Sequence, residues 1–276
     1  MPVRLLLQLL VVALAAAATT SSAPGLDPQS AVTLVVTACK RPALLLALLD
    51  GLFAHEAFAF RAVLIAEASG VANANAEAVS KYPFVTVVGG PRRSQVDNID
   101  AAYALVRSKY ILHFEEDWVV HRGGFVQRSI AVLDAFPTVS VVSLHAVGSS
   151  EFQQIDAELA PGLGVGFMRR DTSGGWGYFT WGAGLRRLSD YQLVGDYKRW
   201  NATAWKNNAM LQAEARREGV SIKKHFIHRE WKINWLYKAK GFRVAMFNDS
   251  APYASHAPPQ GRDKHVPDER GASPFE

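Results

Sequence analysis

This sequence of 276 residues has few cysteines, no dense basic run and no long apolar run, three features that often indicate the class of a protein. Cys39 is the single cysteine, so an internal disulfide is excluded and stability must come from the packed core. No dense run of Lys and Arg occurs, and the formal net charge of +5 favours anionic ligands without indicating a nucleic acid partner. No apolar run reaches the length of about 20 residues that spans a bilayer. The composition, 49% hydrophobic and 20% charged, indicates a globular protein.

An apolar stretch does occur near the amino terminus, between Leu5 and Ala18, after a short basic start. Because this stretch is short for a membrane span, residues 1–23 are predicted to be a cleaved signal peptide, with a short signal anchor as the alternative. Two possible acceptor sites for N-linked glycans, at Asn201 and Asn248, agree with a secretory route. We expect the protein in the ER or Golgi lumen or secreted, and at a membrane only if the anchor is retained.

The rest of the chain is predicted to form one domain. Residues 24–30 read as a linker, residues 31–257 as the folded domain and residues 258–276 as a flexible polar tail. Apolar runs predict strands at 31–38, 61–69, 84–88 and 110–114, with helices over 42–54 and from Ser94 to about 106. This alternation predicts an α/β fold with a mostly parallel central sheet and helices on both faces.

Ser94 and Asp97 are spaced as a helix-capping pair at the start of the helix that runs to about 106. The predicted later elements are helices near 124–136, 205–218 and 229–239, strands at 139–144 and 242–247, and a Gly- and Trp-rich loop over 161–184.

Three consecutive carboxylates, Glu115, Glu116 and Asp117, follow the strand predicted at 110–114. Like charges this close are tolerated when a positive charge lies among them, and a bound cation is the simplest candidate. Alternate side chains of an extended segment share a side, so Glu115 and Asp117 are predicted to bind Mg²⁺ or Mn²⁺ through oxygen. A solvated turn after a strand is the alternative.

Four segments in order resemble the nucleotide-sugar half of inverting, family-2-like glycosyltransferases with the A-type fold. They are the strand end "TACKRP", the stretch "AEAS", the Asn-bearing helix "SQVDNIDAAYALVRSKY" and the acidic triplet. The resemblance covers residues 31–120, which leaves 121–257 as the acceptor half. It implies a metal-dependent glycosyltransferase, with inversion preferred, that uses a nucleoside-diphosphate sugar and a carbohydrate or glycoprotein acceptor.

The resemblance also assigns roles to residues. Glu115 and Asp117 would bind Mn²⁺ or Mg²⁺ beside the diphosphate, and His256 would be a further metal ligand. The residues implied to bind the nucleotide sugar are Thr37, Arg41, Glu67, Ser69, Asn98, Glu116 and Arg186. Simpler readings stay open: Glu67 caps a turn, Arg41 faces solvent, and Asn98 lies on a helix surface.

The segment "GGWGYFTWGAGLRR" contains three aromatic residues among flexible glycines. Trp176, Tyr178 and Trp181 are predicted to be platforms for the sugar rings of the acceptor, and Arg186 and Arg187 to neutralise the leaving diphosphate. The alternative is that these aromatic side chains fill the core beneath a loop.

Inverting transfer needs a carboxylate to accept the proton of the acceptor hydroxyl. The resemblance implies this base about a dozen residues before Gly219, where the sequence instead has Asn207 and Asn208. Another carboxylate could serve, and the candidates are Glu214, Glu230 and Asp171. Otherwise the enzyme is retaining, or the chain binds sugar nucleotides without efficient turnover. The hypotheses for the function are therefore a glycosyltransferase, a carbohydrate-binding or sugar-nucleotide-binding protein, and a metal-dependent hydrolase that acts on phosphate or sugar esters.

Overall fold

A computed structural model of the protein describes residues 32–145, 155–160, 164–168, 177–200, 208–217 and 229–257. In the first half, each predicted strand and helix is present, with boundaries within a few residues of those expected. The elements are β1 (Val32–Ala38), α1 (Pro42–His55), β2 (Ala62–Glu67), α2 (Ala76–Lys81), β3 (Val85–Val88), α3 (Gln95–Tyr103) and β4 (Tyr110–Glu115).

The second half contains shorter strands. Its elements are β5 (Trp118–Val120), α4 (Phe125–Ala135), β6 (Val139–Ser143), β7 (Ile155–Ala160), β8 (Val165–Met168), β9 (Gly184–Arg187), α5 (Leu188–Val194), a 3₁₀ turn (Tyr197–Arg199), α6 (Ala209–Arg217), α7 (Arg229–Ala239), β10 (Arg243–Phe247) and β11 (Ala254–His256). No helix among the described residues is long and apolar enough to cross a membrane.

The described strands other than β5 and β11 form one nine-stranded sheet in the order β3-β2-β1-β4-β9-β6-β10-β8-β7. β8 and β9 run antiparallel to their neighbours, so the other seven strands share one direction. The mixed α/β class with a largely parallel sheet is therefore confirmed. β5 and β11 pair with each other in a separate two-stranded sheet.

Alternate residues of the central strand β1 belong to two core clusters. Leu34 and Val36 pack with Leu45 and Leu48 of α1, whereas Val35 belongs to the cluster that contains Ile99 of α3. Alternate side chains along a strand point to opposite sides of the sheet. One core cluster therefore contains α1 residues and the other contains Ile99 of α3, while the cover of both faces by helices stays a prediction.

Several expectations for the chain are wrong. The segment 161–184, predicted as a loop, contains β8, a strand that includes Gly166 and so lacks the usual β-branched pattern. The elements α2, β5, β7, β9, α5 and β11 were not predicted; each has seven residues or fewer, and such lengths carry little periodicity. The predicted leader, linker and tail lie outside the described residues.

Candidate functional site

The carboxyl ends of β1, β2 and β4 meet at one edge of the sheet, which we call the carboxyl edge. In the strand register, Thr37 of β1 lies opposite Glu115 of β4, and Ala38 lies opposite Glu67 of β2. The pairing continues past the strand ends, because the Glu116 amide donates to the Thr37 carbonyl at 3.0 Å. Residues far apart in the sequence are thereby adjacent here, where α/β sheets commonly bind ligands.

The three carboxylates of the acidic triplet have different partners. Glu116 is buried and accepts hydrogen bonds from the Cys39 amide at 3.0 Å and from Arg41 Nε at 2.7 Å. Asp117 accepts one from Arg41 Nη1 at 3.1 Å. Glu115 accepts one from Gln95 Nε2 at 2.7 Å. A positive charge does lie among these carboxylates, and in this structure the guanidinium of Arg41 provides it.

The electrostatics of the triplet are uneven. Burial raises the pKa of Glu115, and the charges of Asp117 and Glu116 raise it further. Burial also raises the pKa of Asp117, but interactions with His256 and Arg41 outweigh this effect and leave that pKa below its ordinary value. Asp117 is therefore the member of the triplet that most readily stays ionised.

His256 reaches the triplet through the small sheet of β5 and β11. It pairs with Trp118 in that sheet, and the two rings lie 4.2 Å apart between centroids. Its Nδ1 lies 3.7 Å from Asp117 Oδ1, and Asp117 raises the pKa of His256. His256 is the last residue of β11, a three-residue strand too short to be recognised in the sequence.

Two of the three predicted metal ligands come together. Asp117 Oδ1 is buried without a hydrogen-bond partner among the described residues, and it faces the His256 imidazole. Carboxylate oxygen and imidazole nitrogen suit Mn²⁺, and ions of this class are commonly held by few protein ligands together with substrate phosphates. Within the described residues, however, no three His, Cys, Asp or Glu side chains converge on one metal position. Glu115 as the third ligand stays a prediction.

Glu67 and Ser69, predicted to contact the base or ribose, close the turn after β2. Glu67 accepts hydrogen bonds from the Ser69 amide at 2.8 Å and from Asn75 Nδ2 at 3.0 Å. Glu67 also lines a cavity of about 740 Å³ between this turn, α2 and β3. The turn-capping role is thus present, and the ligand role stays a prediction.

Thr37 and Asn98 are both buried and tie elements together. The Thr37 hydroxyl donates to the Phe114 carbonyl at 3.4 Å, and Asn98 Nδ2 donates from α3 to the Ala66 carbonyl at 2.5 Å. Asn98 is not on the helix surface, since its side chain faces β2. Any contact of these two residues with a nucleotide sugar stays a prediction.

The aromatic residues predicted to bind the acceptor are largely enclosed. Tyr178 is 7% exposed and Trp181 is 6% exposed, and both belong to the core cluster that contains α3 and α7 residues. This matches the alternative that they fill the core, although acceptor contact is untested. Trp176 lies outside the described residues.

Arg186 and Arg187 have different surroundings. Arg187 donates to the carbonyls of Leu133, Phe136 and Val139 and pairs with Asp190 at 2.8 Å, so it joins β9 to the end of α4. Arg186 lies on β9 and is 1% exposed. Contact between Arg186 and a diphosphate stays a prediction, and it would require the surrounding residues to open.

Glu230 is the candidate base whose side chain the structure describes. It lies in the first turn of α7, and its Oε1 accepts hydrogen bonds from the Trp181 amide at 2.8 Å and the Thr180 hydroxyl at 3.2 Å. Burial raises the pKa of Glu230 to about 7, and the charge of Glu115 raises it while Arg186 lowers it. Glu214 lies in α6 with its side chain outside the description, and Asp171 lies outside the described residues.

Asn208 occupies the start of α6, where the resemblance implies a carboxylate. Its Oδ1 accepts a hydrogen bond from the Leu211 amide at 3.1 Å, which is the geometry of a helix N-cap. Sequence reasoning missed Gln95, which binds Glu115; its position just after the capping residue Ser94, at the edge of the site, was the only available signal.

No family model and no curated protein matches this chain. Solved structures do. A mannosyltransferase from Pyrobaculum calidifontis, solved with GDP-Man and Mn²⁺, matches with a TM-score of 0.52 at 14% identity over 92% of this chain and 65% of its own. Residues 1–349 of S. aureus TarS with UDP-GlcNAc match with a TM-score of 0.50 at 12% identity, over 84% of this chain and 60% of that one.

The fold is therefore that of A-type nucleotide-sugar transferases, which confirms the resemblance first seen in residues 31–120. At these identities the likeness establishes the fold alone. The chain spans less than two thirds of the length of either solved chain.

Proposed function

We propose that this protein is a glycosyltransferase that moves a hexose from a nucleoside-diphosphate sugar to a carbohydrate or glycoprotein acceptor. The observation that carries the proposal is the meeting of Arg41, Asp117 and His256 at the carboxyl edge, although these residues are distant in sequence. The fold supports it, because one structural neighbour was solved with GDP-Man and Mn²⁺ and another with UDP-GlcNAc.

Asp117 and His256, with Glu115 as the third predicted ligand, would hold a divalent ion that neutralises charge on the leaving diphosphate. Arg41 adds a fixed positive charge at the same edge and carries five donors suited to phosphate oxygens. The ion pairs with Glu116 and Asp117 also hold the Arg41 side chain in position at this edge. Thr37, Glu67 and Ser69 would contact the nucleoside part of the donor.

Glu230 is our preferred general base. An inverting transfer requires a carboxylate to take the proton of the acceptor hydroxyl while that oxygen bonds to the anomeric carbon and the bond from this carbon to the diphosphate oxygen breaks. A base works best when its pKa lies near the working pH, and burial raises the pKa of Glu230 to about 7. The anchored Oε1 fixes the orientation of the carboxyl group.

The second candidate function is binding of sugar nucleotides without efficient turnover. The observation that favours it is Asn208, whose amide caps α6 at the place where the resemblance implies a carboxylate. An amide cannot accept a proton at neutral pH. The two functions share the donor site and differ in the chemistry beside the acceptor.

The test is nucleotide release from UDP-glucose, UDP-GlcNAc and GDP-mannose, with and without Mn²⁺, in the presence of oligosaccharide acceptors. A transferase releases UDP or GDP and forms an elongated acceptor, and both products disappear when Mn²⁺ is chelated. Tight binding of a donor with no product from any acceptor would favour the second function. Neither binding nor release with any of the donors would contradict both.

A further inference from the structure

The guanidinium of Arg186 is buried and under-satisfied. Its Nη2 donates to the Gly182 carbonyl at 3.1 Å, and its carbon centre lies 5.3 Å from the centroid of the Phe179 ring. Its Nε and Nη1 are buried and have no hydrogen-bond partner among the described residues. Because arginine keeps its charge in proteins and an isolated buried charge is strongly unfavourable, this environment calls for a negative partner.

Two further buried donors lie in the same region. His113 is fully buried, its Nδ1 lies 3.0 Å from the Tyr103 hydroxyl, and its Nε2 has no partner among the described residues. If Tyr103 donates to Nδ1, the hydrogen of the neutral imidazole lies on Nε2. The indole Nε1 of Trp181 is likewise buried without an acceptor in the described part of the chain.

The strand register brings these groups to one face of the sheet. Arg186 of β9 lies opposite Ile111 of β4, and His113 is two residues further along β4, so the two side chains are diagonal neighbours on the same face. Arg186 also acts electrostatically on Tyr103 and His113. Trp181 packs near the same group. Its ring centroid lies 6.3 Å from that of Tyr197, and Arg186 also acts electrostatically on Tyr197.

Glu230, an acidic residue on which Arg186 acts, does not complete this cluster. Glu230 feels the charge of Arg186, but its Oε1 is committed to the Trp181 amide and the Thr180 hydroxyl. No described carboxylate forms an ion pair with Arg186. When Glu230 is protonated, the form that burial favours, the cluster has one net positive charge and up to four unmet donors. Water would supply acceptors without neutralising that charge.

We propose that Arg186 and His113, with Trp181 beside them, form an internal binding site for a small inorganic anion of about the size of chloride. The site is separate from the carboxyl edge and does not depend on the proposed transferase activity. A monatomic anion fits these surroundings better than a diphosphate, because Arg186 is 1% exposed and lies over the Phe179 ring.

The first test is thermal unfolding of the full chain in sodium bromide or chloride against sodium gluconate at equal ionic strength. The expected result is a rise of the unfolding midpoint that saturates with halide concentration. Arg186→Met should weaken the apparent halide affinity by about 10-fold or more, because it removes a charged donor. Arg243→Met is the matched control, since Arg243 also lies over a phenylalanine ring, at 4.1 Å, and donates to a backbone carbonyl, that of Met168. It should leave the halide response unchanged.

A second measurement covers the case in which Arg186→Met does not fold. A crystal of the wild-type chain grown in bromide should show an anomalous peak within hydrogen-bond distance of Arg186, and Tyr103→Phe should weaken the halide response. A water molecule or empty density at that position, together with no halide dependence of unfolding, would overturn the proposal. A stabilisation by UDP or GDP that requires Arg186, with no halide effect, would also overturn it and assign the side chain to the donor.

Discussion

The carboxyl edge of the first half and the interior of the second half differ in how their charged side chains are paired. At the edge, Glu67, Glu115 and Glu116 each accept hydrogen bonds from neighbouring groups, and Arg41 lies between Glu116 and Asp117. In the interior, Nε and Nη1 of Arg186 have no acceptor in the described part of the chain, and burial raises the pKa of Glu230 to about 7. The edge is therefore organised to bind a charged group with little rearrangement, whereas the interior contains the group best suited to accept a proton.

The largest expected effect comes from replacing the proposed base. Glu230→Gln keeps an oxygen for the Trp181 amide and the Thr180 hydroxyl but cannot accept a proton. We expect kcat to fall by about 10²- to 10⁴-fold with KM little changed, as measured by steady-state kinetics with the preferred donor. The activity of the wild type should rise with pH through about 7. Undiminished turnover in the variant would remove Glu230 as the base and leave Glu214 and Asp171.

The same substitution should change how stability depends on pH. The pKa of Glu230 is raised from 4.5 to about 7 in the folded protein, so folding favours the protonated form. The stability that this group contributes is present below pH 4.5 and is lost as the pH rises through about 7. The loss amounts to about 3 kcal/mol. Urea unfolding at pH 4.5 and pH 8 should show that Glu230→Gln lacks this component.

Glu77→Gln serves as the control, because Glu77 is exposed in the first turn of α2. It should follow the wild type at both pH values. If the free energies of unfolding of the wild type and of Glu230→Gln change equally with pH, the interior does not perturb this carboxyl group.

A smaller effect is expected at the carboxyl edge. Arg41→Met removes the donors to Glu116 and Asp117, whose carboxylates are then left close together. The free energy of unfolding should fall by about 1.5 kcal/mol in urea at pH 7, the lower end for hydrogen bonds to charged groups, because Arg41 is 42% exposed. Lys81→Met, which breaks the exposed pair with Asp50, should cost about 0.5 kcal/mol or less. Equal losses in the two variants would contradict a specific role of Arg41 at the edge.

The smallest loss of stability is expected at α3, the helix whose residue Gln95 donates a hydrogen bond to Glu115. Ser94 caps this helix, since its hydroxyl oxygen accepts a hydrogen bond from the Asp97 amide. Ser94→Ala should lower the free energy of unfolding by about 1 kcal/mol in urea. Ser80→Ala, at an exposed position of α2, should change it by less than about 0.5 kcal/mol. A similar value for both would mean that the cap adds nothing.

Much of the first half could be predicted because its signals are local. Buried parallel strands are continuous apolar runs, and the capping pair of Ser94 and Asp97 is present as predicted. Because these strands are parallel, their carboxyl ends lie at the same edge of the sheet. This is why Thr37, Glu67 and the acidic triplet could be expected near one another before their register was known.

The rest depends on contacts between distant segments. Arg41 binds Glu116 and Asp117 only because β1 and β4 are adjacent, and His256 reaches Asp117 through two strands of three residues each. Trp181 was expected to bind a sugar, but its type alone does not distinguish a binding platform from a core residue. Burial, which decides between the two, is a property of the whole fold.

The most direct test of the carboxyl edge as a donor site is titration calorimetry of UDP and GDP into the full chain, with and without Mn²⁺. The wild type should bind one of the two nucleotides, with an affinity that Mn²⁺ raises and that Glu115→Ala/Asp117→Ala lowers by about 10- to 100-fold or more. Asp134→Asn, at an exposed carboxylate paired with Lys109, should bind like the wild type. An affinity that neither the metal nor the double substitution changes would contradict the site.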